Sequence, residues 1–137
     1  MTDPAAQDLA ERQAAEMYAA DVASRSLGIE VRDVAPGRAT ATMVVTETMV
    51  NGHGICHGGF VFLLADTAFA FACNTRGPAV VAAGADVSFL APVRVGDVLV
   101  AEGVERVVRG RSGLYDVTVR AGDTVVAEFR GRSRALS

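Results

Sequence analysis

The chain has 137 residues, half of them hydrophobic, with 16 acidic and 13 basic side chains and a net charge of −3. This length predicts a single domain, residues 1–137, and the acidic balance argues against nucleic acid as the main partner. Two cysteines are too few for a disulfide framework, and the N-terminus lacks a positive region followed by an apolar core, so we expect no secretion signal and a cytoplasmic location.

Three elements are predicted before residue 50. Segment 5–26 is rich in alanine, and Pro4 precedes it at a favourable starting position, which predicts an amphipathic helix. Segments 29–34 and 39–45 are typical of two strands, and Pro36 and Gly37 form the turn between them.

The central feature is the apolar run 60–73, FVFLLADTAFAFAC, in which Asp66 and Thr67 are the only polar side chains. The run is too short to cross a bilayer, which needs about 20 apolar residues. Its alanine and leucine content favours a buried helix over about 57–75, ended by the Arg76-Gly77-Pro78 break. Small residues recur on this helix at a spacing that would let another backbone approach closely: Ala65, Ala68 and Ala72.

After the helix the sequence turns to strand-like patterns. Four segments, 80–91, 98–108, 114–121 and 124–134, are separated by turns, and the last one alternates charged with apolar or small residues. Together these elements predict an α+β fold in which a six-stranded antiparallel sheet wraps around one long central helix.

Two neighbouring features indicate an active site. A buried carboxylate costs several kcal/mol unless it is paired or changes its pKa, so a chain that retains Asp66 inside an apolar run is expected to use it. Directly upstream, the loop NGHGICHGG (51–59) opens onto the helix and offers free backbone N–H groups to an anion or a polarised carbonyl.

The segment NGHGICHGGFVFLLADTAFAFAC, together with DVSFLAPVRVGD further on, resembles the hotdog-fold acyl-CoA thioesterases of the phenylacetate-degradation (PaaI-type) branch. The resemblance runs from about residue 29 to the C-terminus, and Gly58 and Asp66 stand eight residues apart as in that family. It implies the hotdog fold, a homodimer formed by joined sheets, and pairing of dimers into a homotetramer. It also implies hydrolysis of acyl-CoA to free acid and coenzyme A, without a separate cofactor.

The resemblance assigns roles to residues around the thioester. The Gly58 N–H polarises the carbonyl, and Asp66 either attacks the carbonyl or activates a water. Asn51 and His57 match the orienting polar groups, whereas Thr67 either contacts the substrate or only satisfies a backbone carbonyl.

Spacing alone indicates that one chain cannot complete this site. Eight residues of helix separate the Gly58 N–H from the Asp66 carboxylate by about 12 Å along the axis, too far for both to act on one carbonyl. Two helices packed antiparallel across a two-fold axis would pair Gly58 of one chain with Asp66 of the other. We therefore expect an inactive monomer.

Substrate recognition is assigned to three groups. Gly59 is expected to bind the substrate or its coenzyme A, and the turn formed by Arg109, Gly110, Arg111 and Ser112 is suited to the phosphates of coenzyme A. A set of aromatic side chains either lines an aryl pocket for phenylacetyl-CoA and its ring-hydroxylated forms or belongs to the core: Phe60, Phe62, Phe69 and Phe89.

Other functions stay open from the sequence. Medium- or long-chain acyl-CoA is the alternative substrate, and a non-catalytic acyl-CoA-binding hotdog module is the alternative of another class. A hydratase would need a histidine after Asp66, and the following TAFAF has none. His53, Cys56 and His57 lack a fourth ligand, so no metal is expected.

Overall fold

A computed structural model describes residues 3–136. The N-terminal segment forms two helices, α1 (Pro4–Ala20) and α2 (Val22–Ser26), where the sequence predicts one helix over 5–26. Asp21 divides them because its backbone leaves the helical region, and its N–H donates to the Tyr18 carbonyl. Its carboxylate then accepts the Ser24 N–H and caps α2, a use of aspartate typical of helix starts.

Between residues 3 and 136 the sheet has six antiparallel strands in the order β1-β2-β4-β5-β6-β3. The strands are β1 (Glu30–Ala35), β2 (Arg38–Val44), β3 (Val80–Phe89), β4 (Val98–Arg109), β5 (Ser112–Ala121) and β6 (Thr124–Ala135). With the long helix α3 (Gly58–Cys73) packed against one face, this arrangement is the hotdog fold, so the predicted fold class is confirmed.

Helix α3 packs closely on the sheet through its small residues. Ala65, Ala68 and Ala72 are fully buried, as their spacing predicts. On β4, a Cβ built on Gly103 would lie 3.0 Å from the Ala68 carbonyl oxygen, so a side chain there would push the helix away. The C-terminal end of α3 is fixed by Asn74, whose side-chain amide forms hydrogen bonds with both the N–H and the carbonyl of Val80.

One stripe of α3 and the β3 edge of the sheet are left uncovered within residues 3–136. The stripe contains Gly59, which is exposed, and Phe62, Asp66 and Ala70, which are half-buried. Strand β3 is paired on one side only, with β6, and its apolar side chains include Val81, which is 44% exposed. Exposed edge strands of this kind are templates for pairing with another chain. No helix between residues 3 and 136 is long and apolar enough to cross a membrane.

Candidate active site

The glycine-rich loop is organised by Asn51. Its Oδ1 accepts the N–H groups of His53 (2.9 Å) and Ile55 (3.4 Å), and its own N–H donates to the Ile55 carbonyl at 2.8 Å. These two backbone donors define which atom of the Asn51 amide is the oxygen, so Nδ2 points away from them. Within residues 3–136, Nδ2 donates a hydrogen bond to no group. Asn51 thus shapes the loop with one amide atom and keeps a free donor on the other.

Neighbouring segments hold the loop in place at the start of α3. The Cys56 N–H donates to the Val93 carbonyl, and the His57 N–H donates to the Met49 carbonyl, both at 2.7 Å. These bonds fix the position at which the helix begins. His53 is exposed, and no group of three or more His, Cys, Asp or Glu side chains in the described chain is arranged to hold a metal ion.

His57 divides the two glycine amides between different tasks. Its Nδ1 accepts the Gly59 N–H at 2.9 Å, so His57 is the N-cap of α3, and Nε2 is the ring nitrogen left to donate a hydrogen bond. The Gly59 amide, predicted to contact substrate, is therefore used within the helix start. The Gly58 N–H has no acceptor within residues 3–136 and lies at the positive end of the helix dipole.

A cavity of about 330 Å³ opens beside Gly58 and Asn51, so the structure brings these two predicted residues together. The tip of the Phe89 ring rests against Gly58, because a Cβ built on Gly58 would lie 3.0 Å from the Phe89 Cζ. The remaining walls are mostly apolar, and the sequence analysis identified none of them: Ile55, Cys56, Val61, Ala91, Pro92, Val93 and Val126. Most of these residues lie in the two segments that carry the family resemblance, and that position was the sequence signal that could have identified them as part of the site.

Asp66 is separated from this cavity within the chain. It is half-buried on the uncovered stripe of α3, and no group among residues 3–136 donates a hydrogen bond to its carboxylate. Burial raises the pKa of Asp66 above its ordinary value of 3.8, which suits a group that has to attack or accept a proton. The described chain therefore has a free backbone amide at Gly58 and a carboxylate of raised pKa at Asp66, but at different places.

The two cysteines are not suited to be nucleophiles. Burial raises the pKa of the Cys73 thiol to about 12, and the Asp66 charge adds to this effect. Burial also raises the pKa of Cys56, with a further contribution from Asp97. Both therefore remain protonated near neutral pH, and the thiolate is the reactive form.

Thr67 faces away from the uncovered stripe, so the structure does not bring it to the site. Its hydroxyl is buried, donates to the Leu63 carbonyl at 3.0 Å and lies 2.9 Å from the Ser24 hydroxyl. The contact between the Thr67 and Ser24 hydroxyls ties α3 to α2. Of the two roles considered for Thr67, the structure shows the satisfied backbone carbonyl.

The Arg109–Ser112 turn lies near the opposite end of α3 from Gly58. Together with Cys73 and Arg76, Gly110, Arg111 and Ser112 line a cavity of about 240 Å³. The Arg111 guanidinium donates to the carbonyls of Ala135 and Leu136, and Ser112 accepts a hydrogen bond from Arg134. Within one chain, this turn is not part of the Gly58 cavity.

The predicted aryl-pocket residues belong to different parts of the molecule. Phe69 is in the core, with ring centroids 5.6 Å from Tyr115 and 5.8 Å from Phe129, and Phe62 meets Phe129 edge to face at 5.4 Å. Phe89 lines the cavity beside Gly58 and is 54% exposed. Of the four aromatic residues predicted for an aryl pocket, Phe89 is therefore the one that lines this cavity.

Comparison with known proteins agrees with this fold. The family model described as the thioesterase superfamily matches residues 53–128. The acyl-coenzyme A thioesterase PaaI of Escherichia coli K12 is 44% identical over 121 residues, 88% of this chain and 86% of that protein. The structure of the E. coli PaaI protein from the phenylacetic acid degradation operon superimposes with a TM-score of 0.93, at 41% identity and 96% coverage of each chain. A mutant of the phenylacetic acid degradation protein PaaI from Thermus thermophilus gives a TM-score of 0.80, at 37% identity, covering 82% of this chain and 97% of that one.

The chain therefore belongs to the thioesterase superfamily. Within it, the chain is a member of the PaaI-type hotdog-fold acyl-CoA thioesterases, and it is a thioester hydrolase. This membership favours the predicted enzyme over the hydratase and the non-catalytic module.

Proposed function

We propose that the enzyme hydrolyses phenylacetyl-CoA, or its ring-hydroxylated forms, to the free acid and coenzyme A. The observation that carries this proposal is the free Gly58 N–H in the wall of a compact, mostly apolar cavity of about 330 Å³. That volume lies at the small end of the range for small-molecule sites, which favours a compact aryl-acetyl group over a medium or long chain. The similarity to PaaI proteins of phenylacetic acid degradation supports the same substrate class.

In the proposed reaction, the thioester carbonyl oxygen accepts a hydrogen bond from the Gly58 N–H. Negative charge that develops on this oxygen is stabilised by the amide and by the positive end of the helix dipole. Asp66 either attacks the carbonyl, giving a mixed anhydride that water then hydrolyses, or takes a proton from a water that attacks. In both routes the carbon–sulfur bond breaks and coenzyme A leaves as the thiol.

We propose that each active site combines Gly58 of one protomer with the Asp66 carboxylate of its partner. The uncovered stripe of α3, which carries Asp66, and the free edge of β3 support this pairing, because a second chain could cover both. A two-fold axis running between two antiparallel α3 helices would form two identical sites per dimer. Pairing of two such dimers into a homotetramer stays a prediction, as does the cytoplasmic location.

The same pairing gives the arginine turn a role. In an antiparallel pair, the C-terminal end of one α3 lies near the N-terminal end of the other. The turn containing Arg109 and Arg111 then approaches the partner's Gly58 cavity, where its guanidiniums can bind the phosphates of coenzyme A. Asn51 Nδ2 and His57 Nε2–H are proposed as the donors that orient the thioester or the attacking water.

Co-expression of two inactive variants tests the shared site. Gly58→Pro removes the amide donor, and Asp66→Asn removes the carboxylate. If the site is shared, random pairing places half of the chains in mixed dimers, each with one intact site, which restores about a quarter of the wild-type activity towards phenylacetyl-CoA.

If both groups act within one chain, every site in a mixed dimer lacks one of them. Activity then stays at the level of the separate variants, and this result would refute the shared site. Each variant expressed alone is the control, and size-exclusion chromatography shows whether both assemble like the wild type.

A further inference from the structure

A side chain at Gly58 would be limited by space and not by backbone conformation. Its φ lies outside the left-handed region that favours glycine, so another residue would fit the backbone. The space that a Cβ would occupy is instead taken by the Phe89 ring, whose Cζ, Cε1 and Cε2 atoms would lie 3.0, 3.3 and 3.4 Å from it. The ring tip therefore stands directly beside the amide proposed to polarise the thioester.

The same ring belongs to the walls of two cavities. The cavity beside Gly58 and a neighbouring cavity, also of about 330 Å³, share Ile55, Phe89, Ala91 and Pro92. Leu90 lines only the second cavity, and Gly58 and Asn51 line only the first. Of the four shared residues, Phe89 has the largest side chain.

The backbone around Phe89 is fixed, whereas its side chain is not enclosed. Phe89 pairs with Ala127 at the end of β3, and the next two N–H groups donate to the Val126 carbonyl at 2.8 and 3.4 Å. The Phe89 side chain is 54% exposed, and it forms none of the aromatic pairs found within residues 3–136. Its position is thus held by the sheet, and its removal leaves the packed core intact.

From these observations we infer that Phe89 determines the length of the acyl group that the enzyme accepts. The inference rests on the proposed function, because it assigns the cavity beside Gly58 to the acyl group. The Phe89 ring closes that cavity beyond the space for a compact acyl group and offers an aromatic surface to an aryl ring. Without the ring, the two cavities become continuous, and a longer chain can extend into the second one.

The test compares kcat/KM for phenylacetyl-, butanoyl-, hexanoyl-, octanoyl- and decanoyl-CoA in the wild type, Phe89→Ala and Phe89→Leu. We expect Phe89→Ala to raise the ratio of decanoyl to butanoyl by about tenfold or more, since each methylene gained in an apolar pocket changes selectivity by such factors. The decanoyl-to-butanoyl ratio of Phe89→Leu should lie between those of the wild type and Phe89→Ala. In both variants kcat/KM for phenylacetyl-CoA should fall relative to that for the straight-chain substrates. Val44→Ala is the control, because Val44 is 53% exposed and lines neither cavity.

Binding of S-alkyl-CoA thioethers, which cannot be hydrolysed, separates this inference from the proposed function. If the wild type hydrolyses none of the thioesters, the proposed function fails. The inference still stands if calorimetry shows the same shift of Kd towards longer alkyl chains in Phe89→Ala. An unchanged chain-length profile in both Phe89 variants, in hydrolysis and in binding, overturns it, as does a wild type that already prefers decanoyl-CoA.

Discussion

Replacing Gly58 by proline removes the proposed polarising donor with little other change. Gly58 is the first residue of α3, a position where proline fits because the N–H has no partner within the helix. The preceding residue, His57, has φ −62° and ψ 134°, a conformation that a following proline favours. The helix should therefore form as in the wild type, and the cap from His57 to Gly59 should persist.

The size of the effect follows from a matched variant. Gly58→Ala keeps the N–H but places a Cβ 3.0 Å from the Phe89 Cζ, and Gly58→Pro places a Cβ in the same position. The two variants thus share the steric contact with Phe89 and differ mainly in the amide donor. Loss of one such donor typically costs about 10²–10³ in kcat, which is about 3–4 kcal/mol of barrier.

The assay measures thiol released from phenylacetyl-CoA under saturating substrate, and circular dichroism and size-exclusion chromatography check the fold and assembly. We expect kcat of Gly58→Pro to fall about 10²–10³-fold below that of Gly58→Ala. Equal kcat values in two folded variants would refute the role of the Gly58 N–H, and the thioester oxygen would need another donor.

Two further predictions concern the acid and the packing of the helix. The Asp66 carboxylate must be ionised to act, and burial raises its pKa, so kcat/KM should fall with decreasing pH through a pKa above 3.8. A fall in kcat/KM at or below pH 3.8 would contradict the catalytic role of Asp66. Gly103→Ala should destabilise the protein by about 1–3 kcal/mol, because its Cβ would meet the Ala68 carbonyl at 3.0 Å. Urea unfolding measures this loss, and Gly52→Ala, whose Cβ would meet no atom within 4 Å, is the control; similar midpoints for both variants would argue against the close contact.

Local patterns were sufficient for the architecture. The apolar run 60–73 predicts a long central helix, and the buried Ala65, Ala68 and Ala72 confirm how it packs. The glycine-rich loop and the acid eight residues after Gly58 carry the resemblance to PaaI-type thioesterases, and the comparisons confirm that class. These features were accessible because periodicity, helix breakers and motif spacing are properties of residues close together in the chain.

The prediction of one N-terminal helix was wrong for a reason that hydrophobic periodicity does not reveal. Segment 5–26 has the composition of one helix, yet Asp21 ends α1 and caps α2 with its own backbone and side chain. An aspartate side chain can accept a hydrogen bond from a nearby backbone N–H, and this competes with continuation of the helix. Whether the helix continues through such a residue or breaks there depends on packing against the rest of the chain.

Only the tertiary structure decided how the polar groups of the site are divided. His57 takes the Gly59 amide and leaves that of Gly58 free, and Thr67 bonds to Ser24, which is remote in sequence. Phe89 reaches Gly58 because β3 ends beside the start of α3. The sequence by itself determined the fold and the catalytic candidates, because local patterns and spacing encode them, and it determined the family through the resemblance of its motifs to known thioesterases. Which donor stays free and which aromatic ring faces it were decided by strand register and by competition among hydrogen-bond partners brought together only in the folded chain.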